Sequence, residues 1–106
     1  MKIAFCSSEV FPFAKTGGLA DVSGALPQAL SKKGHQVKVF MPLYKNIMPD
    51  NVFDDYGVSS LGKNIDIIFI KNDDYFVRDQ LYGTAKSDYP DNLKRFPFFA
   101  GNPLIF

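Results

Sequence analysis

Apolar residues change from strand-like to helix-like spacing and back over the first forty positions. Lys2–Cys6 is a short apolar run that predicts a buried strand, and residues 7–16 with Pro12 predict a long loop. From Gly18 the spacing predicts an amphipathic helix, and residues 36–41 predict a second strand. A strand, a helix and a strand in this order form a βαβ unit, which predicts a parallel pair with a right-handed crossover.

The predicted helix has a basic last turn and a terminating glycine. Lys32 and Lys33 precede Gly34, which is the usual chemistry of a helix C-terminus. Pro27 has no N–H to donate to the carbonyl oxygen of Ser23, so we expect either a kink or a restart with Pro27 in a new first turn. The apolar positions that follow helical spacing are Leu19, Val22, Leu26, Ala29 and Leu30.

The second half of the chain carries one clear strand signal. Residues 65–70 form a nearly continuous β-branched run, whereas residues 52–60 give a weaker strand pattern. With 106 residues the chain fits one globular domain, and 12 basic against 11 acidic residues leave a net charge of +1. No bulk field therefore favours nucleic acid or an anionic membrane. Nothing resembles a signal peptide or a membrane span, so we expect a soluble cytoplasmic protein.

Cysteine and histidine are too few for a metal site. Cys6 stands alone, which excludes an internal disulfide, and at the end of an apolar strand we expect it to be a small buried side chain. His35 has no second imidazole or cysteine pair to act with. We expect no metal site at these residues and no cofactor.

A lysine and two adjacent glycines stand between the first strand and the helix, in the stretch K-T-G-G-L-A-D-V. Glycine lets a backbone approach a ligand closely, and a helix N-terminus offers free N–H groups and the positive end of its dipole. Lys15, Gly17 and Gly18 therefore predict an anion site, although their spacing matches neither the Walker A nor the dinucleotide motif. On spacing alone, a tight turn beside a solvated lysine explains the same residues.

The longer run S-E-V-F-P-F-A-K-T-G-G-L-A-D-V-S-G-A-L-P at residues 8–27 resembles the opening of bacterial glycogen synthases and plant starch synthases. A second stretch, Y-F-V-R-D-Q-L-Y-G at residues 75–83, is similar to the same family. The resemblance implies an α/β fold with a Rossmann-like parallel sheet, as part of the N-terminal domain of a two-domain GT-B glycosyltransferase. Residues 1–106 would be that domain in truncated form, and the C-terminal GT-B domain would be missing.

Three features depart from the family pattern. Residues 53–65 look short, as if one strand of a hairpin were missing. Pro97 and Pro103 flank Gly101 and would break the helix that the family carries around Arg95. The chain also ends at residue 106, where family members run to several hundred. The aromatic side chains of this last segment would be core in an intact domain, and here we expect them to be partly exposed: Phe96, Phe98, Phe99 and Phe106.

The resemblance also implies a reaction, in which glucose passes from ADP-glucose to the non-reducing end of an α-1,4-glucan with retention and without a metal ion. The implied partners are ADP-glucose and the glucan acceptor, with no role for nucleic acid or a membrane. The backbone N–H groups of Gly17 and Gly18 would face the diphosphate. Lys15 would pair with the phosphate charge that grows as the sugar bond breaks.

Two further residues complete the implied site. Asp21 would be a catalytic residue whose carboxylate accepts a hydrogen bond from a sugar hydroxyl, or simply a first-turn carboxylate that interacts favourably with the helix dipole. Tyr82 would line the sugar or acceptor side of the cleft, or be an ordinary tyrosine. Glu9 suits a structural hydrogen bond to the loop backbone. As half of a site, the chain is expected to be inactive alone; the alternative is a non-catalytic module that binds a nucleotide sugar or an oligosaccharide.

Overall fold

The computed structural model describes residues 1–105, and its helices and strands form one α/β unit. In chain order they are β1 (Lys2–Cys6), α1 (Gly18–Lys32), β2 (Gln36–Pro42), β3 (Asn51–Val52), β4 (Tyr56–Gly62), β5 (Ile65–Ile70), α2 (Asp73–Phe76) and α3 (Asn92–Ala100). The five strands form one sheet in the order β1-β2-β5-β4-β3. The first three of these are parallel, whereas β4 and β3 run antiparallel to their neighbours. The predicted βαβ unit is confirmed, and the sheet is mixed rather than wholly parallel.

The core lies on the two central strands, β2 and β5. Their apolar residues are buried because helix α1 contacts both strands and because Val10 and Ala14 of the loop before it, with Phe76 and Phe99, pack in the same cluster. Burying each such side chain contributes roughly 1.5–3 kcal/mol relative to leaving it in water. The fully enclosed members on these strands are Val37, Val39, Met41, Ile65, Ile67, Phe69 and Ile70.

Strand β1 is an edge strand, and the prediction that it is buried is wrong. Residues along it alternate between exposed and half-buried, and both Ala4 and Cys6 are exposed. The prediction failed because an apolar run of this length fits a central strand and an edge strand equally well. Partial burial still raises the pKa of the Cys6 thiol above its usual value.

Helix α1 packs on the sheet through small residues. Ala20, Ser23 and Pro27 are its buried side chains, whereas Leu19 and Val22 are more than half exposed. Of the apolar positions with helical spacing, Leu30 packs against the core, whereas Leu19, Val22 and Leu26 are exposed. Pro27 lies inside one continuous helix, so a restart at this proline is wrong.

One departure inferred near the end of the chain is wrong, namely a helix broken at Pro97. Between residues 53 and 65 the chain forms β4, which pairs with the two-residue β3 as an antiparallel hairpin. Helix α3 continues through Pro97 to Ala100, because the ring removes only one donor, to the carbonyl of Leu93, a residue whose side chain is 89% exposed to water. The predicted break near Arg95 therefore does not occur, and the helix ends before Gly101.

Aromatic side chains pack α2 and α3 together. Phe76 is buried, and its ring lies near those of Tyr44, Phe96 and Phe98. The expected exposure of the aromatic side chains holds for Phe98, which is 37% exposed, but not for Phe99, which is buried. Phe106, named with this group, lies outside the described residues. No helix within residues 1–105 is long and apolar enough to cross a membrane.

Candidate functional site

The candidate site lies where the parallel strands end. The loop after β1 and the segment after β2 meet there, since the hydroxyl of Tyr44 donates a 2.7 Å hydrogen bond to the carbonyl oxygen of Ser8. In open α/β sheets, ligands bind at the carboxyl ends of the strands. The predicted anion loop is therefore at the sheet edge where such a fold binds ligands.

Glu9 occupies the N-terminus of helix α1. Its Oε1 atom accepts hydrogen bonds from the backbone N–H groups of Thr16 at 3.3 Å, Gly17 at 3.1 Å and Ala20 at 3.3 Å. Its Oε2 atom accepts from the hydroxyls of Thr16 at 2.6 Å and Tyr82 at 2.7 Å. The side chain therefore makes the structural hydrogen bonds to loop backbone that the sequence favoured.

Hydrogen bonding governs the ionisation of Glu9. The residue is 2% exposed, and burial alone would raise the pKa of its carboxyl. The donors from Thr16, Tyr82 and the Gly17 backbone outweigh that effect, so the pKa lies below its usual value. A negative charge at this helix end also interacts favourably with the helix dipole.

Further hydrogen bonds fix the loop on the helix. The hydroxyl of Ser23 donates to that of Ser7 at 2.9 Å, and the Ser7 hydroxyl donates to the carbonyl oxygen of Glu9 at 2.8 Å. The N–H of Phe11 donates to the carbonyl oxygen of Ala20 at 3.0 Å. The residues before the glycines are thus held by α1 itself.

Gly17 and Gly18 border open space. A Cβ on either would have no atom of the described chain within 4 Å. Gly17 is extended, with φ −165° and ψ −158°, and neither glycine has positive φ, so conformation does not require glycine here. The Gly17 N–H already donates to Glu9, whereas within residues 1–105 those of Gly18 and Leu19 have no acceptor. Of the two amides expected to face a diphosphate, only that of Gly18 is available.

Lys15 and Asp21, which flank the two glycines in the sequence, form an ion pair. The ammonium nitrogen lies 2.9 and 2.8 Å from the two carboxylate oxygens, and about half of each side chain is exposed. The Lys15 ammonium also lies 5.7 Å from the centre of the Phe11 ring. Both predicted catalytic residues are therefore adjacent and open to solvent, which is where a ligand anion would meet them.

Tyr82 is held by helix α3 and points at Glu9. Its carbonyl oxygen accepts hydrogen bonds from the Asn92 side chain at 2.8 Å and the Tyr89 backbone at 2.9 Å. Its hydroxyl lies 2.7 Å from both Glu9 Oε2 and the Ser8 hydroxyl. Burial and the Glu9 carboxylate raise the pKa of Tyr82 to about 12, although the hydrogen bond with Ser8 acts in the opposite direction. The phenol is therefore neutral at physiological pH and acts as a hydrogen-bond donor.

Sequence reasoning missed the contacts that assemble this site. Thr16 was counted only as part of the motif, yet it donates to Glu9 through both its backbone and its hydroxyl. Ser8 was likewise assigned no role. Its partner Tyr82 lies 74 residues away along the chain, and no local pattern records such a contact. Among residues 1–105, no group of three or more His, Cys, Asp or Glu side chains is arranged to hold a metal ion.

Known proteins resemble this chain over most of its length. The family model of the starch synthase catalytic domain matches residues 2–102. A glycogen synthase of Syntrophotalea carbinolica is 43% identical over an alignment that covers 93% of this chain, and one of Koribacter versatilis is 47% identical with 94% covered. Each alignment covers 24% of the relative, so the chain spans about a quarter of the length of the curated relatives it matches.

A solved structure shows the same likeness in three dimensions. The catalytic domain of starch synthase IV from Arabidopsis thaliana, bound to ADP and acarbose, matches with a TM-score of 0.66 and 30% sequence identity. The match covers 92% of this chain and 23% of that one. The fold is thus similar to one part of a starch synthase catalytic domain.

Proposed function

Because the chain belongs to the starch synthase catalytic domain family, we propose that it carries the donor-phosphate part of a glycogen synthase. In this proposal residues 1–106 belong to the Rossmann-like N-terminal domain of a GT-B enzyme. The whole enzyme transfers glucose from ADP-glucose to the non-reducing end of an α-1,4-glucan with retention. The names of the relatives and the ADP and acarbose bound to the solved structure support this assignment.

The observation that carries the proposal is the open space at the start of helix α1. Two amides without an acceptor in the described chain, those of Gly18 and Leu19, point from the positive end of the helix. The Lys15 ammonium, from two residues before Gly17, pairs with Asp21 in the first turn of the helix. A diphosphate in this space would be held by backbone donors and by a cation that stabilises the leaving group as the sugar bond breaks.

Asp21 and Tyr82 have more limited roles in the proposal. Asp21 pairs with Lys15. Once a phosphate binds Lys15, the Asp21 carboxylate is free to accept a hydrogen bond from a sugar hydroxyl. The Tyr82 hydroxyl donates to Glu9. We therefore propose that Tyr82 lies at the edge of the sugar-binding part of the cleft and that its hydroxyl does not bind the sugar. The acceptor glucan, a C-terminal GT-B domain and a cytoplasmic location remain predictions. The chain alone is proposed to be inactive.

Calorimetric titration with ADP tests the site. We expect weak binding, in the high-micromolar to millimolar range, since one wall of the cleft is supplied from elsewhere. Lys15→Ala should weaken binding about tenfold, because a charge-assisted hydrogen bond contributes roughly 1.5–3 kcal/mol. Lys33→Ala, at the opposite end of the same helix, removes the same charge and should change the affinity less than about twofold.

The outcomes separate the candidate functions. Equal losses in the two lysine variants, or no binding to the unchanged chain, would contradict a phosphate site at Lys15. A dissociation constant at or below about 1 μM for ADP-glucose or a maltooligosaccharide would favour a dedicated binding module instead. Measured glucosyl transfer from ADP-glucose by the 106-residue chain would overturn the proposed inactivity.

A further inference from the structure

We propose that Glu9 is a positioning residue for the ligand phosphate: it occupies the amides of Gly17 and Ala20 and so directs the phosphate to those of Gly18 and Leu19. This inference rests on the proposed function for the identity of the ligand. Glu9 itself does not touch the ligand in this proposal. It acts through the loop that it holds.

The saturation of the Glu9 carboxylate is the first argument. Its two oxygens accept five hydrogen bonds, three from backbone N–H groups and two from hydroxyls. The side chain is 2% exposed. To contact a ligand, Glu9 would have to break several charge-assisted hydrogen bonds and leave their donors without an acceptor. A fixed support is therefore the better description of this carboxylate than a ligand contact.

The division of the helix amides is the second argument. The first N–H groups of a helix have no partner within it. The N–H groups of Gly17 and Ala20 donate to the Glu9 carboxylate. Within the described chain, the N–H groups of Gly18 and Leu19 have no acceptor. The free amides are those next to the open space at Gly18. The internal carboxylate thus determines which donors remain for an external anion.

Tyr82 extends this support to a distant part of the chain. Its hydroxyl donates to Glu9 Oε2 across 73 residues of sequence, while Asn92 and Tyr89 hold its backbone carbonyl. The loop before α1 is therefore positioned by the segment between α2 and α3. Removing the Tyr82 hydroxyl should therefore alter the hydrogen bonds that the Gly17 and Ala20 amides donate to Glu9.

The chain offers a specific probe for this test, because Glu9 is its only glutamate. Glutamate labelled with ¹³C at the side-chain carboxyl reports on this one group by NMR, and ¹⁵N labelling reports on the loop amides. The titratable groups facing Glu9 are the phenols of Tyr44 and Tyr82, whose pKa values are both raised. The charged residues of the adjoining loop and first helical turn, Lys15 and Asp21, pair with each other. Because the ¹³C label lies on Glu9 alone, its titration curve reports the Glu9 carboxyl.

The first arm compares two tyrosine variants by acid titration. In Tyr82→Phe, which removes only the donor, the Glu9 midpoint should rise by about half a pH unit or more, and the Gly17 and Ala20 amides should follow it. Tyr56→Phe is the matched control, since no hydrogen bond of its hydroxyl is found within residues 1–105, and it should leave the midpoint unchanged. An unchanged midpoint in Tyr82→Phe overturns the inference. If that variant does not fold, Thr16→Val removes the other hydroxyl donor and tests the same coupling.

The second arm titrates the unchanged chain with ADP. The Gly18 and Leu19 amide signals should move most, while those of Gly17, Ala20 and the Glu9 carboxyl stay near their starting positions. Equal movement of Gly17, Ala20 and the carboxyl would mean that the ligand displaces Glu9, which overturns the inference and leaves the phosphate site standing. No response at any of these amides would contradict the proposed function, and the acid titration then decides whether Glu9 positions the loop.

Discussion

The ammonium nitrogen of Lys15 lies 2.9 and 2.8 Å from the two carboxylate oxygens of Asp21, so the proposed phosphate-binding cation, in the loop before α1, is paired with a carboxylate in the first turn of that helix. The pair is about half exposed. Exposed ion pairs of this kind contribute roughly 0.2–1 kcal/mol, which is far less than a diphosphate gains from a cation and two free amides. Asp21 therefore holds Lys15 in place without preventing ligand binding.

Removal of the Asp21 charge should strengthen phosphate binding. In Asp21→Asn the lysine no longer has to leave a carboxylate, and the ligand no longer meets a like charge, so ADP should bind about two- to fivefold more tightly. Asp54→Asn, in an exposed turn away from the loop, is the control and should have no effect. Calorimetry at low ionic strength measures both. Weaker binding in Asp21→Asn would show instead that the carboxylate contacts the ligand.

Alanine should destabilise the fold at Gly24 but not at Gly18. A Cβ at Gly24 would lie 2.7 Å from the backbone oxygen of Phe11, so Gly24→Ala should lower the free energy of unfolding by roughly 1–3 kcal/mol despite the better helix propensity of alanine. At Gly18 a Cβ meets no atom, so that variant should be as stable as the unchanged chain. Urea unfolding monitored by circular dichroism compares them.

The same Gly18→Ala variant separates stability from binding. The added methyl group would enter the space proposed for the phosphate, so ADP affinity should fall about tenfold while the unfolding midpoint stays the same. Unaltered ADP affinity would count against a close approach of ligand to this backbone. A destabilised Gly18→Ala would indicate a packing role for the glycine that the structure does not show.

The local elements of this fold were predictable, whereas their surroundings were not. The apolar run at Lys2–Cys6 and the helix from Gly18 were correctly placed because their periodicity is local. Exposure of Cys6 and of Leu19 depends on which elements pack on β1 and α1, and spacing carries no such information. Pro97 was assumed to break a helix, yet the buried Arg95 and Phe99 anchor that helix on the aromatic cluster around Phe76.

The site was predictable only where its residues are contiguous. Lys15, Gly17, Gly18 and Asp21 fall within one short motif and do lie together. The hydrogen bond between Glu9 and Tyr82 joins residues 73 positions apart, and neither residue type indicates from the sequence which partner it will bind. Glu9 also reverses the expected use of Gly17, since an internal carboxylate takes the amide that the motif assigned to a ligand.

Arg95 should be more important for stability than its charge suggests. It is fully buried, donates to the carbonyl oxygen of Tyr75 at 2.6 Å and to the Asn92 side chain at 2.7 Å, and lies on several aromatic rings. Arg95→Lys keeps the charge but cannot make this planar set of contacts, so it should lower the free energy of unfolding by roughly 2–4 kcal/mol. Lys94→Ala, at an exposed position of the same helix, should change it by less than about 0.5 kcal/mol. A similar loss in both variants would contradict the anchoring role.

Glu9 should make the stability of the chain depend on pH in a particular direction. Its pKa is lower in the folded chain than in the unfolded chain, where it is about 4.3, so the ionised carboxylate stabilises the fold above that value. This contribution is lost as the pH falls through the folded pKa. Glu9→Gln should lower the free energy of unfolding at pH 7 by roughly 1.5–3 kcal/mol, because the amide nitrogen cannot accept a hydrogen bond from Thr16 or Tyr82.

The difference between the unchanged chain and Glu9→Gln should therefore shrink steadily from pH 5 to pH 2, whereas it should stay constant from pH 6 to pH 8. Urea unfolding at each pH gives both curves, and Asp54→Asn again provides the control for an exposed carboxylate. A difference that persists at the acid end would mean that Glu9 supports the loop by its shape rather than by its charge. The amides of Gly17 and Ala20 and the hydroxyls of Thr16 and Tyr82 all donate to this one carboxylate. We therefore expect the charge of Glu9, rather than its shape, to account for the stabilisation.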